Sequence, residues 1–224
     1  MSDSVNIAID GPAGAGKSTV AKLVSEELGF LYIDTGAMYR ALTLAALREA
    51  VNMNSESELS QLLSKCHIQL VVNEEGASVL LNDEDVSKDI RSLEVNQNVS
   101  LVSSWEAVRV EMVERQRQLA QKTHSVLDGR DIGTYVLPNA QLKVFLTASV
   151  SERARRRHEE QLKKGMPSDY EQLKIDIARR DELDSTRAFA PLKKAEDAIE
   201  IDTTTLSISE VAQAITDLAK ERTS

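Results

Sequence analysis

The feature that most constrains this chain is an apolar run that breaks into a glycine-rich turn. Residues 5–10, Val-Asn-Ile-Ala-Ile-Asp, lead directly into Gly11-Pro12-Ala13-Gly14-Ala15-Gly16-Lys17-Ser18-Thr19. The run is too short for a helix and reads as a buried strand, while apolar spacing after Gly16 reads as a helix to Leu28. Gly29 then stands just past the helix end, where a left-handed residue commonly sits. Glycines let the backbone curl so that successive N–H groups point at one spot, and the helix start adds partial positive charge. The spacing Gly-x-x-x-x-Gly-Lys-Ser is that of a phosphate-cradling Walker A loop. Lys17 is expected to reach the β- and γ-phosphates, with the Ser18 hydroxyl on Mg²⁺. A chance Gly/Ala-rich turn lacks both the spacing and the flanking strand and helix. Residues 11–19 are therefore expected to hold ATP.

Strand and helix alternate from there. Residues 31–34 read as a second strand, and a helix follows to about Ala50, with Tyr39, Leu42, Ala46, Leu47 and Ala50 on one face. Such alternation implies right-handed βαβ units and a parallel sheet with covered faces. The middle of the chain breaks the rhythm. Ser55-Glu56-Ser57-Glu58 opens a helix as a capping box. Two β-rich runs, 67–72 and 77–81, then flank Asn73-Glu74-Glu75-Gly76 as an antiparallel hairpin, which is foreign to a doubly wound sheet. Residues 62–103 are read as an inserted subdomain, leaving 1–61 and 104–224 as the core. A helix over about 104–122 carries Trp105, Val108, Met112 and Leu119 on one stripe. Residues 125–128, 142–146 and 198–201 read as further strands. Ser168-Asp169-Tyr170-Glu171 and Ser207-Ile208-Ser209-Glu210 read as the caps of the last two helices.

Formal net charge is −9, which argues against a nucleic-acid or anionic-membrane partner, because neither polyanion is attracted over long range. An anionic ligand must then be caught by locally gathered Arg and Lys. Cys66 is the only cysteine, so no intrachain disulfide forms, and a small core residue is the expected role. His67, His124 and His158 lack metal-ligand spacing. Met-Ser-Asp-Ser has no basic region, residues 5–9 are too short for a signal's apolar core, and no run reaches the roughly 20 residues of a membrane span. A cytoplasmic protein is expected, with a monomer as the default.

Asp128 ends an apolar strand, where a carboxylate beside the metal sits in Walker-type sites, acting through water because Mg²⁺ keeps most of its hydration. A turn aspartate is the plain alternative. Arg40, Arg130 and Asp131 fall at C-terminal ends of strands, where ligands bind open α/β sheets. Arg180, Asp184 and Arg187 recur on one helical face. Each alone reads equally as a surface ion pair, which is worth little. Arg153, Arg155, Arg156 and Arg157 crowd four guanidinia into one and a half turns of an otherwise acidic chain. A solvated basic face is the usual account of such a run. A lid over about 151–167, with Arg153 and Arg157 clamping phosphate oxygens, explains its cost better.

Together the segments Asp34-Thr35-Gly36-Ala37-Met38-Tyr39-Arg40, Asp128-Gly129-Arg130-Asp131-Ile132-Gly133-Thr134, Arg187-Ala188-Phe189-Ala190-Pro191-Leu192 and Asp202-Thr203-Thr204, behind the Walker A loop, carry a family likeness. Along nearly its whole length the chain resembles the bacterial cytidylate kinases, a family of nucleoside monophosphate kinases. The resemblance implies a P-loop α/β core with a parallel sheet flanked by helices, an NMP-binding insert with antiparallel strands, and a short helical lid. It implies transfer of the ATP γ-phosphoryl group to CMP or dCMP with Mg²⁺. It assigns the acceptor to Thr35, Arg40, Ser100, Arg109, Arg130, Asp131, Arg180, Asp184 and Arg187. Asp131 and the Thr35 hydroxyl can accept from the cytosine N4 amino group, and Arg109 and Ser100 can donate to N3 and O2. Arg40 and Arg130 suit the acceptor phosphate, and Asp184 suits the ribose hydroxyls. Thr35 departs from relatives that carry Ser there, but the hydroxyl is kept. Two rivals remain: a P-loop kinase for another small metabolite such as shikimate, and a GTPase-type switch. The second needs an Asn/Thr-Lys-x-Asp after a strand, which the sequence lacks.

Overall fold

The computed structural model describes residues 4–73 and 76–223. Its elements run β1 (Asn6–Asp10), α1 (Lys17–Leu28), β2 (Leu31–Asp34), α2 (Thr35–Arg48), α3 (Glu56–Lys65), β3 (Ile68–Asn73), β4 (Gly76–Leu81) and β5 (Glu84–Asp85). There follow α4 (Leu93–Val102), α5 (Glu106–Ala120), β6 (Ser125–Gly129), β7 (Leu142–Thr147), α6 (Val150–Lys163), α7 (Tyr170–Thr186), β8 (Ile199–Asp202) and α8 (Ile208–Thr223). By contacts the chain forms two compact units, one from residues up to 32 and from 122 onward, the other from 33 to 121. The boundary falls inside β2.

The first unit is built on a five-stranded sheet of order β2-β6-β1-β7-β8. β1 pairs in parallel with both β6 and β7, and β7 pairs in parallel with β8. This is the expected parallel α/β sheet. Ile7 and Ile9 of β1, Val126 of β6 and Val144 of β7 are fully or almost fully buried, as a sheet covered on its faces requires. Val20, Ala21 and Val24 of α1 and Val211, Ile215 and Ala219 of α8 pack into the same core. The Ser207 cap forms reciprocally: its Oγ accepts from Glu210 N at 3.3 Å, and Glu210 Oε2 accepts from Ser207 N at 2.8 Å. At α7 the cap is Asp169, whose Oδ1 accepts from Gln172 N at 3.0 Å. Ser168, expected to open that cap, instead bonds Gln161 and His158, because its hydroxyl lies against α6.

The second unit has its own core, in which Met38, Leu42, Leu59, Leu63, Val99, Val108 and Met112 are buried together. β3 and β4 pair antiparallel, as the hairpin reading required, and β5 extends them to a three-stranded sheet. Glu74 and Glu75 of the expected turn lie outside the described residues. The segment read as an insert, 62–103, lies inside this unit, which also takes in α2, α3 and α5. The sequence reading lacked α4, although Val95, Val99 and Val102 recur at helical spacing and are all buried.

Candidate active site

In the first unit the P-loop leaves β1 at Gly11, whose φ of 147° suits glycine. A Cβ there would lie 2.1 Å from the backbone oxygen of Leu146 in β7, so no side chain fits. Gly14 and Gly16 also take positive φ, and Gly16 precedes the first residue of α1. Lys17 is buried, and its Nζ donates to Pro12 O at 2.8 Å, folding the ammonium over the loop. Burial first, then Arg130, pushes that ammonium well below the usual lysine range; Asp128 and Asp10 oppose this and Arg180 adds to it.

Ser18 Oγ donates to Asp128 Oδ2 at 2.8 Å, and the Tyr32 hydroxyl donates to Asp128 Oδ1 at 2.9 Å. A hydroxyl and a carboxylate meeting at the loop form a hard-oxygen pair that suits Mg²⁺. Among the described residues no three His, Cys, Asp or Glu side chains gather into a group that could hold a metal ion.

Beyond β6, Arg130 Nε donates to Asp184 Oδ2 at 2.8 Å, and Arg187 pairs with Asp131 at 3.4 Å. Burial alone would raise the Asp184 carboxyl, but Arg130, Arg180 and Arg187 outweigh it and hold it below its ordinary value. Burial and then Arg130 lower Arg180 to about 10 against the pull of Asp184. So Lys17, Arg130, Arg180 and Arg187 gather with Asp10, Asp128, Asp131 and Asp184 among them. Arginine and lysine are thus concentrated locally, as an acidic chain needs for an anionic ligand, with these carboxylates as their resting partners.

Arg153 is buried, and its guanidinium makes four hydrogen bonds to protein oxygens. It donates to Ala148 O and to Ala13 O of the P-loop, both at 2.9 Å, and to the two oxygens of Asp181 at 3.0 and 2.6 Å. Arg157, its partner in the lid reading, is largely exposed and lies 3.6 Å from Glu160. Arg155 and Arg156 both bond Glu152, and these bonds lower the Glu152 carboxyl to about 2. Beside the loop is a cavity of about 330 Å³ lined by Ala15, Gly16, Arg155, Arg156, Thr204 and Val211 among others. In the sequence, residues 202–204 stand out only as part of the family likeness. The threonines' place beside the P-loop depends on β8 joining the sheet edge, which spacing does not reveal.

The second unit carries the other expected acceptor residues. Asp34 caps α2, accepting from Ala37 N at 2.8 Å, and this puts Thr35 in the first helical turn, where it is buried. Arg40 NH1, one turn on, donates to Asn96 Oδ1 at 2.7 Å and to Ile90 O at 3.3 Å. Arg109 of α5 is 1% exposed, lies over the Tyr39 ring at 5.4 Å from its centroid, and donates to Ser103 O at 3.1 Å. Ser100, half-buried on α4, receives a bond from Ser103 Oγ at its carbonyl. A buried arginine stacked on a ring is held in a fixed orientation.

Residues 7–221 match the model of a family described as cytidylate kinase. A cytidylate kinase of Shouchella clausii is 61% identical over 221 residues, covering 99% of this chain and 98% of its own. One of Halalkalibacterium halodurans is 62% identical over 218 residues, covering 97% and 98%, and one of Bacillus subtilis is 54% identical over 222, covering 99% of each. Among solved structures, an uncharacterized protein from Eubacterium ventriosum shares the fold with a TM-score of 0.52 at 13% identity, over 98% of this chain and 99% of that one.

Proposed function

Because the chain belongs to the cytidylate kinase family, we propose that it transfers the γ-phosphoryl group of ATP to CMP or dCMP, releasing ADP and CDP or dCDP. The observation that carries this reading is the charged cluster beside the P-loop, in which the part-buried Arg130 and Arg180 bear on the buried Lys17 ammonium with Asp10, Asp128 and Asp184 among them. Like charges gathered out of water are costly, and bound phosphates relieve that cost. The donor's phosphates occupy residues 11–19, and Lys17 exchanges its bond to Pro12 O for a phosphoryl oxygen. The cavity lined by Arg155, Arg156 and Thr204 takes the donor's base. Ser18 and, through water, Asp128 would hold Mg²⁺, which would supply neutralisation of phosphate charge.

On the acceptor side, Arg40 and Arg130 bind the CMP phosphate, Asp184 the ribose, and Thr35, Ser100, Arg109 and Asp131 the cytosine, with Arg180 and Arg187 holding the acidic groups in place. The CMP phosphate is already a competent nucleophile at neutral pH, so no general base is required. Rate comes from in-line positioning and charge neutralisation. Of the two lid arginines, Arg157 is the one whose side chain is exposed enough to swing onto the transferring group, and Arg153 supports the loop. The same reading takes the protein as a cytoplasmic monomer without nucleic-acid or membrane partners. No described helix is long and apolar enough to cross a membrane.

The test is ADP release, measured by a coupled assay, across CMP, dCMP, UMP, AMP and shikimate. CMP and dCMP should be turned over. UMP presents a carbonyl to the Asp131 carboxylate, a mismatch of about 1–3 kcal/mol that makes it a poor substrate. Faster turnover of AMP or shikimate than of CMP overturns the assignment.

A further inference from the structure

Asp10 ends the central strand β1, one residue before the P-loop, and lies beside Gly129 of β6. Its carboxylate is buried and reaches across the sheet edge to a different segment. Oδ1 accepts from Ile132 N at 2.8 Å and Oδ2 accepts from Gly133 N at 2.7 Å. Those two N–H groups open a wide helical turn, Ile132–Val136, closed by Val136 N to Asp131 O at 3.1 Å and Leu137 N to Ile132 O at 2.7 Å. The first N–H groups of any helical turn lack acceptors within the turn. The residue just before the turn normally supplies them, and aspartate is among the best residues at that position.

Here that residue is Asp131, and its side chain makes no capping bond to the turn it precedes. It accepts from Arg187 instead. A carboxylate from a strand 122 positions before Ile132 has taken the capping task. Gly133 makes this possible, because a Cβ there would meet Lys143 Cδ at 3.1 Å, Lys143 Cγ at 3.2 Å and Asp10 Oδ2 at 3.4 Å.

We propose that Asp10 is a positioning residue for acceptor choice: by capping the 132–136 turn it keeps the Asp131 carboxylate off its own helix start and available to the acceptor's base. The inference rests on the reading of Asp131 as a base contact. It ties the end of the P-loop strand to the part of the site that selects the nucleotide. In Asp10→Asn one carboxylate oxygen becomes an NH₂ facing an N–H, so one of the two donors loses its acceptor and Asp131 turns back to cap it.

The experiment measures KM and kcat for CMP, UMP and ATP in wild type, Asp10→Asn, Asp131→Asn and the double variant. Losing one charge-assisted contact to the base predicts that Asp10→Asn raises the CMP KM roughly tenfold and erodes CMP-over-UMP preference, with the ATP KM changed by less than about twofold. The double variant should discriminate no worse than Asp131→Asn alone, since both changes remove the same contact. Gly133→Ala leaves both carboxylates intact while crowding the clamp, and should shift CMP preference in the same direction. It serves if Asp10→Asn does not fold. Equal rises in the CMP and ATP KM, or effects that multiply in the double variant, overturn the inference while the role of Asp131 stands. If Asp131→Asn leaves the CMP-to-UMP ratio unchanged, both fall.

Discussion

Replacing Arg153 by Met separates a loop support from a phosphate clamp. Met retains much of the side-chain stem and volume, so the loss falls on the four bonds to Ala148 O, Ala13 O and the two Asp181 oxygens. Removing one partner of a buried ion pair costs about 3–5 kcal/mol. The Asp181 side chain keeps 23% exposure and regains water, which sets the expectation near 3 kcal/mol, the lower edge of that range. In a chain of this length the thermal midpoint should then fall by roughly 6–12 °C, read by circular dichroism. Ala13 O belongs to the P-loop, so the ATP KM should rise several-fold while kcat at saturation falls by less than about threefold. An unchanged midpoint together with a kcat loss of about a hundredfold or more refutes this reasoning. Arg153 would then leave Asp181 and act on the transferring group.

Gly11→Ala should abolish ATP binding or soluble expression, because its Cβ would meet the Leu146 carbonyl oxygen at 2.1 Å and strand backbone cannot move aside cheaply. Calorimetric ATP binding like that of wild type would contradict the close approach. Asp184 makes a pH prediction. Its folded carboxyl lies below the ordinary 3.8, so the folded chain binds fewer protons there than the unfolded chain. That stabilisation is complete above about pH 4 and is lost as pH falls through the folded value. Asp184→Asn should therefore flatten the acid side of the stability curve. A difference from wild type that stays constant between about pH 3 and 6 would show that the arginines do not hold the carboxylate ionised.

Local pattern made the P-loop legible, because the glycine spacing, the lysine and the following helix are contiguous. The hairpin was legible for the same reason, and its pairing runs from Ile68↔Leu81 to Asn73↔Gly76. α4 escaped notice because its buried positions are Val95, Val99 and Val102, β-branched residues with weak helix preference. Its register comes from packing inside the second unit. The cap at Asp169 was ambiguous beside Ser168, since either residue type serves and only the nearness of α6 decides. Arg153 read, with Arg157, as a phosphate clamp within a run of four arginines. Its burial depends on Ala13 and on Asp181, which lies 28 positions away. Asp10 gave no signal at all, because an acidic residue closing a strand is unremarkable until Ile132 and Gly133 are known to lie against it.

The place of β1 in the middle of the sheet has a consequence during synthesis. Both of its neighbours, β6 and β7, are encoded more than a hundred residues later. A ribosome adding about 5–20 residues per second reaches the end of β6 roughly 6–24 s after the strand is made. Throughout that interval Ile7, Ala8 and Ile9, which have no exposed surface in the finished protein, have no sheet to join. A nascent chain of this kind offers the β1 segment for chaperone capture, and it ceases to do so only when residues 125–129 emerge.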